Sequence, residues 1–212
     1  MENAFDLLKL GVLFDGELSF DDQINKVVTS CFITLRLLSR IKYFLTPDQL
    51  NTLVCSLIFT QVDYCNALYY RLKNETIDKL QRVQNCAARL VRKSKIPSGT
   101  MDKVLLEMHW LKVKFRSVYK ILLLTHNCLN QNAPKEIINM LSYGDSTRTM
   151  KLQETRFKNK YGCRAFSHVA PKLWNHLPKE IREVKDTNKF KPQLKSFLMT
   201  RGDEYFTWVN SR

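Results

Sequence analysis

Glycine is scarce in this sequence: six residues in 212, scattered along the chain. A phosphate-cradling loop needs clustered glycines so that backbone N–H groups can close on the ligand, and no such cluster exists. Acids are also few, 20 Asp and Glu against 34 Lys and Arg. Hydrophobic runs are short: the longest, around Leu53–Phe59 and Ile121–Leu124, fall far below the ~20 residues that cross a bilayer. The opening MENAFDLLKL has neither the basic start nor the continuous apolar stretch of a secretory leader. The six cysteines (Cys31, Cys55, Cys65, Cys86, Cys128, Cys163) form no Cys-x-x-Cys pair, which removes the common zinc and dithiol frameworks. Cys31, Cys55 and Cys86 sit among apolar neighbours on predicted helices and read as small hydrophobes. An intracellular protein with reduced thiols and no membrane span is expected.

What the sequence does have is positive charge and helical periodicity. The net charge is +14; residues Met1–Asp22 hold one lysine and six acids, a local balance of −5, which leaves +19 on the remainder. A field that one-sided attracts polyanions, nucleic acid foremost. The stretch Asn74–Lys95, NETIDKLQRVQNCAARLVRKSK, organises the reading. Ile77, Leu80, Val83, Ala87, Leu90 and Val91 recur at steps of three or four and make one apolar stripe. Arg82, Arg89 and Lys93 fall on the opposite side, with Lys79 and Arg92 on the flanks. Such a helix sinks one face into a core and offers cations to solvent or to an anionic partner.

In chain order, Leu7–Leu18 suggests a small β-hairpin with its turn at Asp15-Gly16. Ser19 reads as an N-cap, with Asp22 completing a capping box, for a helix carrying Ile24, Val27, Val28, Cys31, Leu35 and Leu38. That helix ends in Arg36, Arg40 and Lys42, which suit the negative end of its dipole. Thr46-Pro47-Asp48-Gln49 is a second start signal, for a helix to about Tyr64. With Asn74–Lys95 these predict a small antiparallel bundle. Ile96-Pro97-Ser98-Gly99 marks a boundary. Helices follow over Met101–Met108, Val113–Asn130 and from Ala133-Pro134 to Leu141. The stretch Ser142–Lys160 loses periodicity and carries Arg148, Lys151, Arg156, Lys158 and Lys160. Thr187 is expected to cap a last helix through Met199, with Pro192 tolerated near its first turn and a frayed tail over 201–212. The expected fold is mainly α: a three-helix bundle over 19–96 and a helical region over 100–200, behind a short hairpin in 1–18.

VDYCNALYYRL (Val62–Leu72), followed by LQRVQNCAARLV (Leu80–Val91), resembles the segment after the polymerase core in LINE-type non-LTR retrotransposon reverse transcriptases. LGVLFDGELSF (Leu10–Phe20), MHWLKV (Met108–Val113), FRSVYKILLLTHNCLNQNAP (Phe115–Pro134) and YGCRAFSHVAPKLWNHLP (Tyr161–Pro178) agree in order, so the resemblance covers nearly the whole chain. It implies that 1–18 is the end of a palm, near the primer grip. The bundle after it is then a thumb that holds a template–primer duplex, followed by a family-specific tail. Lys112 stands where that family usually has proline.

The acidic F/Y-x-D-D turn that such a polymerase needs to hold two metals belongs upstream of the Leu10 block and is not in this sequence. Phe20-Asp21-Asp22 lies after that block and runs into a helical pattern, so its acids read as capping residues. No endonuclease segment is present either. The chain as it stands is therefore not expected to be an enzyme, and no catalytic residue, metal ligand or cofactor is assigned. Cys163, His168 and His176 match no standard zinc spacing. His109-Trp110 and Trp174-Asn175-His176 read as packing anchors with hydrogen-bonded tips.

The expected partner is RNA or an RNA–DNA duplex, with the upstream palm as neighbour in an intact element. Arg82, Arg89, Arg92 and Lys93 are the expected nucleic-acid-binding residues, contacting phosphates without reading bases. Trp110, Tyr119, Tyr161 and Trp174 either stack on unpaired bases or fill the core. A second expectation comes from another class: an orphaned or domesticated helical module that binds a protein partner through its exposed apolar segment, or a relic with no function.

Overall fold

The computed structural model describes residues 7–142, 151–155, 157 and 161–210. The fold is mainly helical, with a short two-stranded antiparallel hairpin at its start. The chain divides into two compact units, Met1–Lys114 and Phe115–Arg212.

In the first unit, β1 (Leu7–Lys9) pairs with β2 (Val12–Phe14), with Leu8 opposite Leu13 and Lys9 opposite Val12. The reversal is at Leu10-Gly11, both at positive φ (49° and 81°), and not at Asp15-Gly16. The Asp15 carboxylate has another task. Its Oδ1 accepts from the N–H of Glu17 (3.0 Å) and Ser19 (2.8 Å), and its Oδ2 from that of Phe20 (2.7 Å). It thereby folds the chain into α1 (Asp21–Ile41), whose N-cap is Phe20 in the left-handed region with no side-chain cap. The Ser19/Asp22 capping box does not form, because Asp15 already holds the Ser19 and Phe20 amides.

The Thr46 signal holds. Thr46 accepts from the Gln49 N–H and Gln49 reaches back to the Thr46 N–H, opening α2 (Pro47–Val54). The helix continues through a π-helical turn, Cys55–Phe59, into α3 (Thr60–Asp63). Cys55 faces solvent, contrary to the expectation of a small buried hydrophobe, while Cys31 is fully buried. Helix α4 (Asn74–Arg92) buries Leu80, Val83, Ala87, Leu90 and Val91 as its periodicity predicts. It also buries Thr76 and Gln84.

Thr76 Oγ1 donates to Asp21 Oδ1 (2.7 Å) and Lys79 Nζ to Asn25 Oδ1 (2.8 Å), so the N-terminal ends of α1 and α4 lie together. Lys93 Nζ, just past α4, donates to the Leu45 carbonyl just before α2 (2.5 Å). The bundle therefore runs up, down, up: α1 and α4 are parallel and α2–α3 returns beside them. One core joins all of these elements to Leu105 of α5 (Met101–Glu107), Trp110 and Val113. The Trp110 ring stands edge-on to Phe59, centroids 4.6 Å apart. The Pro97–Gly99 turn thus lies inside the first unit, since the residues after it complete that unit's core. Helix α5 ends with His109 at φ 54°, its N–H bonded to the Leu106 carbonyl and the Trp110 N–H to that of Leu105. These paired bonds aim Trp110 back into the core. Lys112 pairs with Asp102 at 2.8 Å.

The second unit contains α6 (Val113–Leu129) from Phe115 onward, α7 (Lys135–Ile138), α8 (Phe166–Asn175), α9 (Lys179–Arg182) and α10 (Thr187–Asn210). Phe190, Leu194 and Leu198 of α10, Leu122 of α6 and Leu173 of α8 are fully buried. The N-terminal cap of α10 is provided by Asp186 in place of Thr187: its carboxylate accepts from the Asn188 N–H (2.9 Å). The helix does not stop at Met199. Tyr205 and Val209 are buried and the Tyr205 hydroxyl donates to the Leu173 carbonyl (2.6 Å), so the segment expected to fray is anchored by packing. Asn175 holds the Leu152 backbone through both amide atoms, each at 2.8 Å. Of the basic stretch before Tyr161, Arg148, Arg156, Lys158 and Lys160 lie outside the described residues.

Candidate nucleic-acid interface

Parallel packing puts the C-terminal ends of α1 and α4 side by side, and both ends are basic. A groove of about 520 Å³ runs between them, lined by Arg36 and Lys42 from α1 and just after it, and by Arg89, Lys93 and Lys95 from α4 and just after it. Phe32, Leu35, Cys86 and Leu90 form its apolar floor. No acid lines it.

Two helix C-termini meeting at one place concentrate negative dipole ends, about half an elementary charge each. Cations there partly serve to offset them. The magnitudes decide how far: two termini neutralise about one charge, and the groove carries five. Lys93 spends one N–H on the Leu45 carbonyl, and Lys42 lies 5.0 Å from the Tyr43 ring centroid. Arg36, Arg89 and Lys95 are exposed and make no ion pair among the described residues. A site with surplus positive charge and multiple N–H donors around an apolar floor can hold a run of phosphates.

Of the four residues expected to bind nucleic acid, Arg89 and Lys93 line the groove. Arg82 is exposed on α4, outside the groove lining. Arg92 is turned away from the groove and forms an ion pair with Glu107 of α5. Arg36, Lys42 and Lys95 join the site instead. Arg36 and Lys42 are legible in the sequence only as dipole partners of their own helix. Their convergence with Arg89 needs the up-down-up topology.

The aromatic side chains divide. Trp110 and Trp174 are core residues, 6% and 2% exposed, with no face available to a base. Tyr119 is half-buried, its hydroxyl pKa pushed up by burial, and Tyr161 is exposed. Cys163, His168 and His176 do not converge. Cys163 Sγ meets the Phe157 carbonyl, His168 Nδ1 the Thr155 carbonyl and His176 Nδ1 the Lys172 carbonyl. Among the described residues, no three His, Cys, Asp or Glu side chains group as metal ligands, and no helix is long and apolar enough to cross a membrane. Asp21, in the sequence that mimics a catalytic pair, is bonded to Thr76. No family model, no curated protein and no solved structure matches the chain.

Proposed function

We propose that this chain is the thumb and tail portion of a LINE-type reverse transcriptase, an intracellular protein that grips RNA or an RNA–DNA duplex without itself carrying the polymerising centre. The observation that carries this reading is the groove in which Arg36, Lys42, Arg89, Lys93 and Lys95 converge, with no acid on its lining among the described residues. The ordered sequence blocks and the +14 charge support the same direction. Phosphates lie along the groove, while the buried stripe of α4 fixes the cations on the bundle. Contacts of this kind set register and strength, not base sequence.

The test is binding against salt concentration, with hairpin RNA and RNA–DNA hybrid. Wild type is compared with Arg36→Glu/Arg89→Glu/Lys93→Glu, after circular dichroism shows that the variant is folded. Each lost phosphate contact removes about 0.9 from the log–log salt slope on B-form duplex, so three should flatten it by roughly 2 to 3. Arg82→Glu, off the groove, should alter the slope less than Arg36→Glu alone. Folded wild type that binds neither probe would sink the proposal.

A second reading, a module that binds a protein partner, is favoured by one observation. Ile33, Leu37 and Ile41 form an exposed apolar row on α1, and Leu10 at the hairpin tip is 89% exposed. In the polymerase reading the same surface faces the palm. Failure of nucleic-acid binding would leave the partner module as the better account.

A further inference from the structure

The groove between the C-terminal ends of α1 and α4 is more than a row of cations. Leu35 and Leu90 close its floor from the core, and Phe32 and Cys86, each half-buried, complete it. Phe32 packs against the core of the first unit, which holds it in place. No other aromatic ring meets it among the described residues. Apolar surface kept open to water at the bottom of a cleft is unfavourable, and a ligand with an apolar surface of its own relieves it.

Polyanions differ in what they offer such a floor. A duplex turns phosphates and sugars outward and keeps its base faces stacked inside. Laid on the groove, it meets the cations and leaves Phe32 uncovered. An unpaired nucleotide presents a flat apolar face with a phosphate on either side, which matches floor and cations together. The size agrees: 520 Å³ is the room of about 17 waters at ~30 Å³ each, enough for one nucleotide. The donors for its phosphates are in hand. Arg36 and Arg89, one from each helix, are exposed and make no ion pair among the described residues. Lys93 gives one N–H to the Leu45 carbonyl, and an ammonium has three.

We propose that the groove takes single-stranded nucleic acid, with one unpaired base against Phe32 and the flanking phosphates held by Arg36 and Arg89. This rests on the groove being a nucleic-acid interface and narrows its ligand from RNA or hybrid duplex in general to unpaired strand. The two contributions are separable by salt. Each phosphate contact on a single strand adds about 0.7 to the slope of log K against log salt. A stacked base adds affinity without adding slope.

The experiment is fluorescence anisotropy with the full chain over a range of salt concentrations. One probe is an RNA of about 12 nucleotides made of C and A only, which cannot pair with itself; the other is an RNA–DNA hybrid of the same length. Phe32→Leu keeps an apolar side chain of similar size and removes the ring, and Phe32→Tyr restores the ring; circular dichroism checks that both fold. Phe32→Leu should weaken strand binding by about 5- to 100-fold, by the same factor at every salt concentration, and change hybrid binding by less than about twofold. Phe32→Tyr should bind the strand as wild type does. Arg36→Glu/Arg89→Glu should instead flatten the strand's salt slope by about 1.4. Strand binding unchanged in Phe32→Leu, strand and hybrid weakened equally, or a loss that Phe32→Tyr does not restore would overturn the proposal. So would polyglutamate displacing the strand as well as unlabelled RNA of equal charge does, which would mark a site for any polyanion. Hybrid binding that depends on Arg36 and Arg89, with no effect of Phe32 on the strand, would overturn this inference and leave the thumb reading standing. Binding of neither probe would overturn both.

Discussion

Gln84, in the middle of α4 and fully buried, donates its side-chain N–H to the Leu111 carbonyl at 2.8 Å. Its neighbour Gln81 accepts from the Val113 N–H at 3.0 Å and donates to the Gln84 side-chain oxygen at 2.9 Å. Two amides on one helix thus bind the backbone that follows Trp110, and they set the depth at which that ring meets Phe59. Gln84→Leu keeps most of the volume and removes the bond, which should cost about 1–3 kcal/mol. Gln84→Ala adds a cavity and should cost more, about 2–4 kcal/mol. Urea unfolding followed by circular dichroism measures both; equal midpoints for wild type and Gln84→Leu would show that the bond contributes nothing.

The Asp15 carboxylate gathers the turn that leads into α1. Partial burial pushes its pKa up, but the N–H groups of Ser19, Phe20 and Glu17 and the Ser19 hydroxyl outweigh this and hold it below the ordinary value. A carboxylate whose folded pKa lies below its unfolded pKa of about 3.9 adds stability above that pH. The contribution disappears as pH falls through the folded value. The stability difference between wild type and Asp15→Asn should therefore be constant above about pH 5 and shrink below pH 4. A difference that grows in acid would mean that the carboxylate is not acting as the acceptor.

Cys31 and Cys55 should separate under a thiol reagent. Cys31 lies in the core between α1 and its partners, with burial pushing its thiol up to about 11. Cys55 faces solvent on the π-helical turn. At pH 8 only about one Cys31 thiol in a thousand would be ionised even if reached. Mass mapping after brief alkylation should find Cys55 labelled and Cys31 protected until urea unfolds the chain. Early labelling of Cys31 would show that the bundle opens locally on that timescale.

Signals confined to a few neighbouring residues were readable from sequence. The Thr46–Gln49 box and the α4 stripe depend on i, i+3 and i+4 relations, and both form. Long-range partners decide the rest. Ser19 has the side chain of a cap, but Asp15 reaches its amide first. Thr76 and Gln84 look solvent-facing by type; their partners, Asp21 and Leu111, are distant in sequence. The groove was half legible for the same reason. Arg89 and Lys93 are marked by their own helix, whereas Arg36 joins them only because α1 and α4 run parallel. The tail over 201–212 was expected to fray, and burial of Tyr205 and Val209 prevailed.

Gly202 gives the sharpest check on that tail. Glycine inside a helix usually costs about 1 kcal/mol relative to alanine, so Gly202→Ala would ordinarily stabilise α10. Here a Cβ would stand 2.8 Å from Phe115 Cε2, closer than carbon atoms tolerate. The Phe115 ring is itself 3% exposed and stands edge-on to Phe206, centroids 6.4 Å apart, so it has little room to retreat. Overpacking of this kind costs about 1–3 kcal/mol, enough to reverse the sign of the propensity gain. Gly202→Ala should therefore lower the unfolding midpoint, and Phe115→Leu should cost less in the Gly202→Ala background than alone. Additive effects of the two substitutions, or a raised midpoint for Gly202→Ala, would mean that α10 does not pack on Phe115 and that the helix beyond Met199 is held by something else.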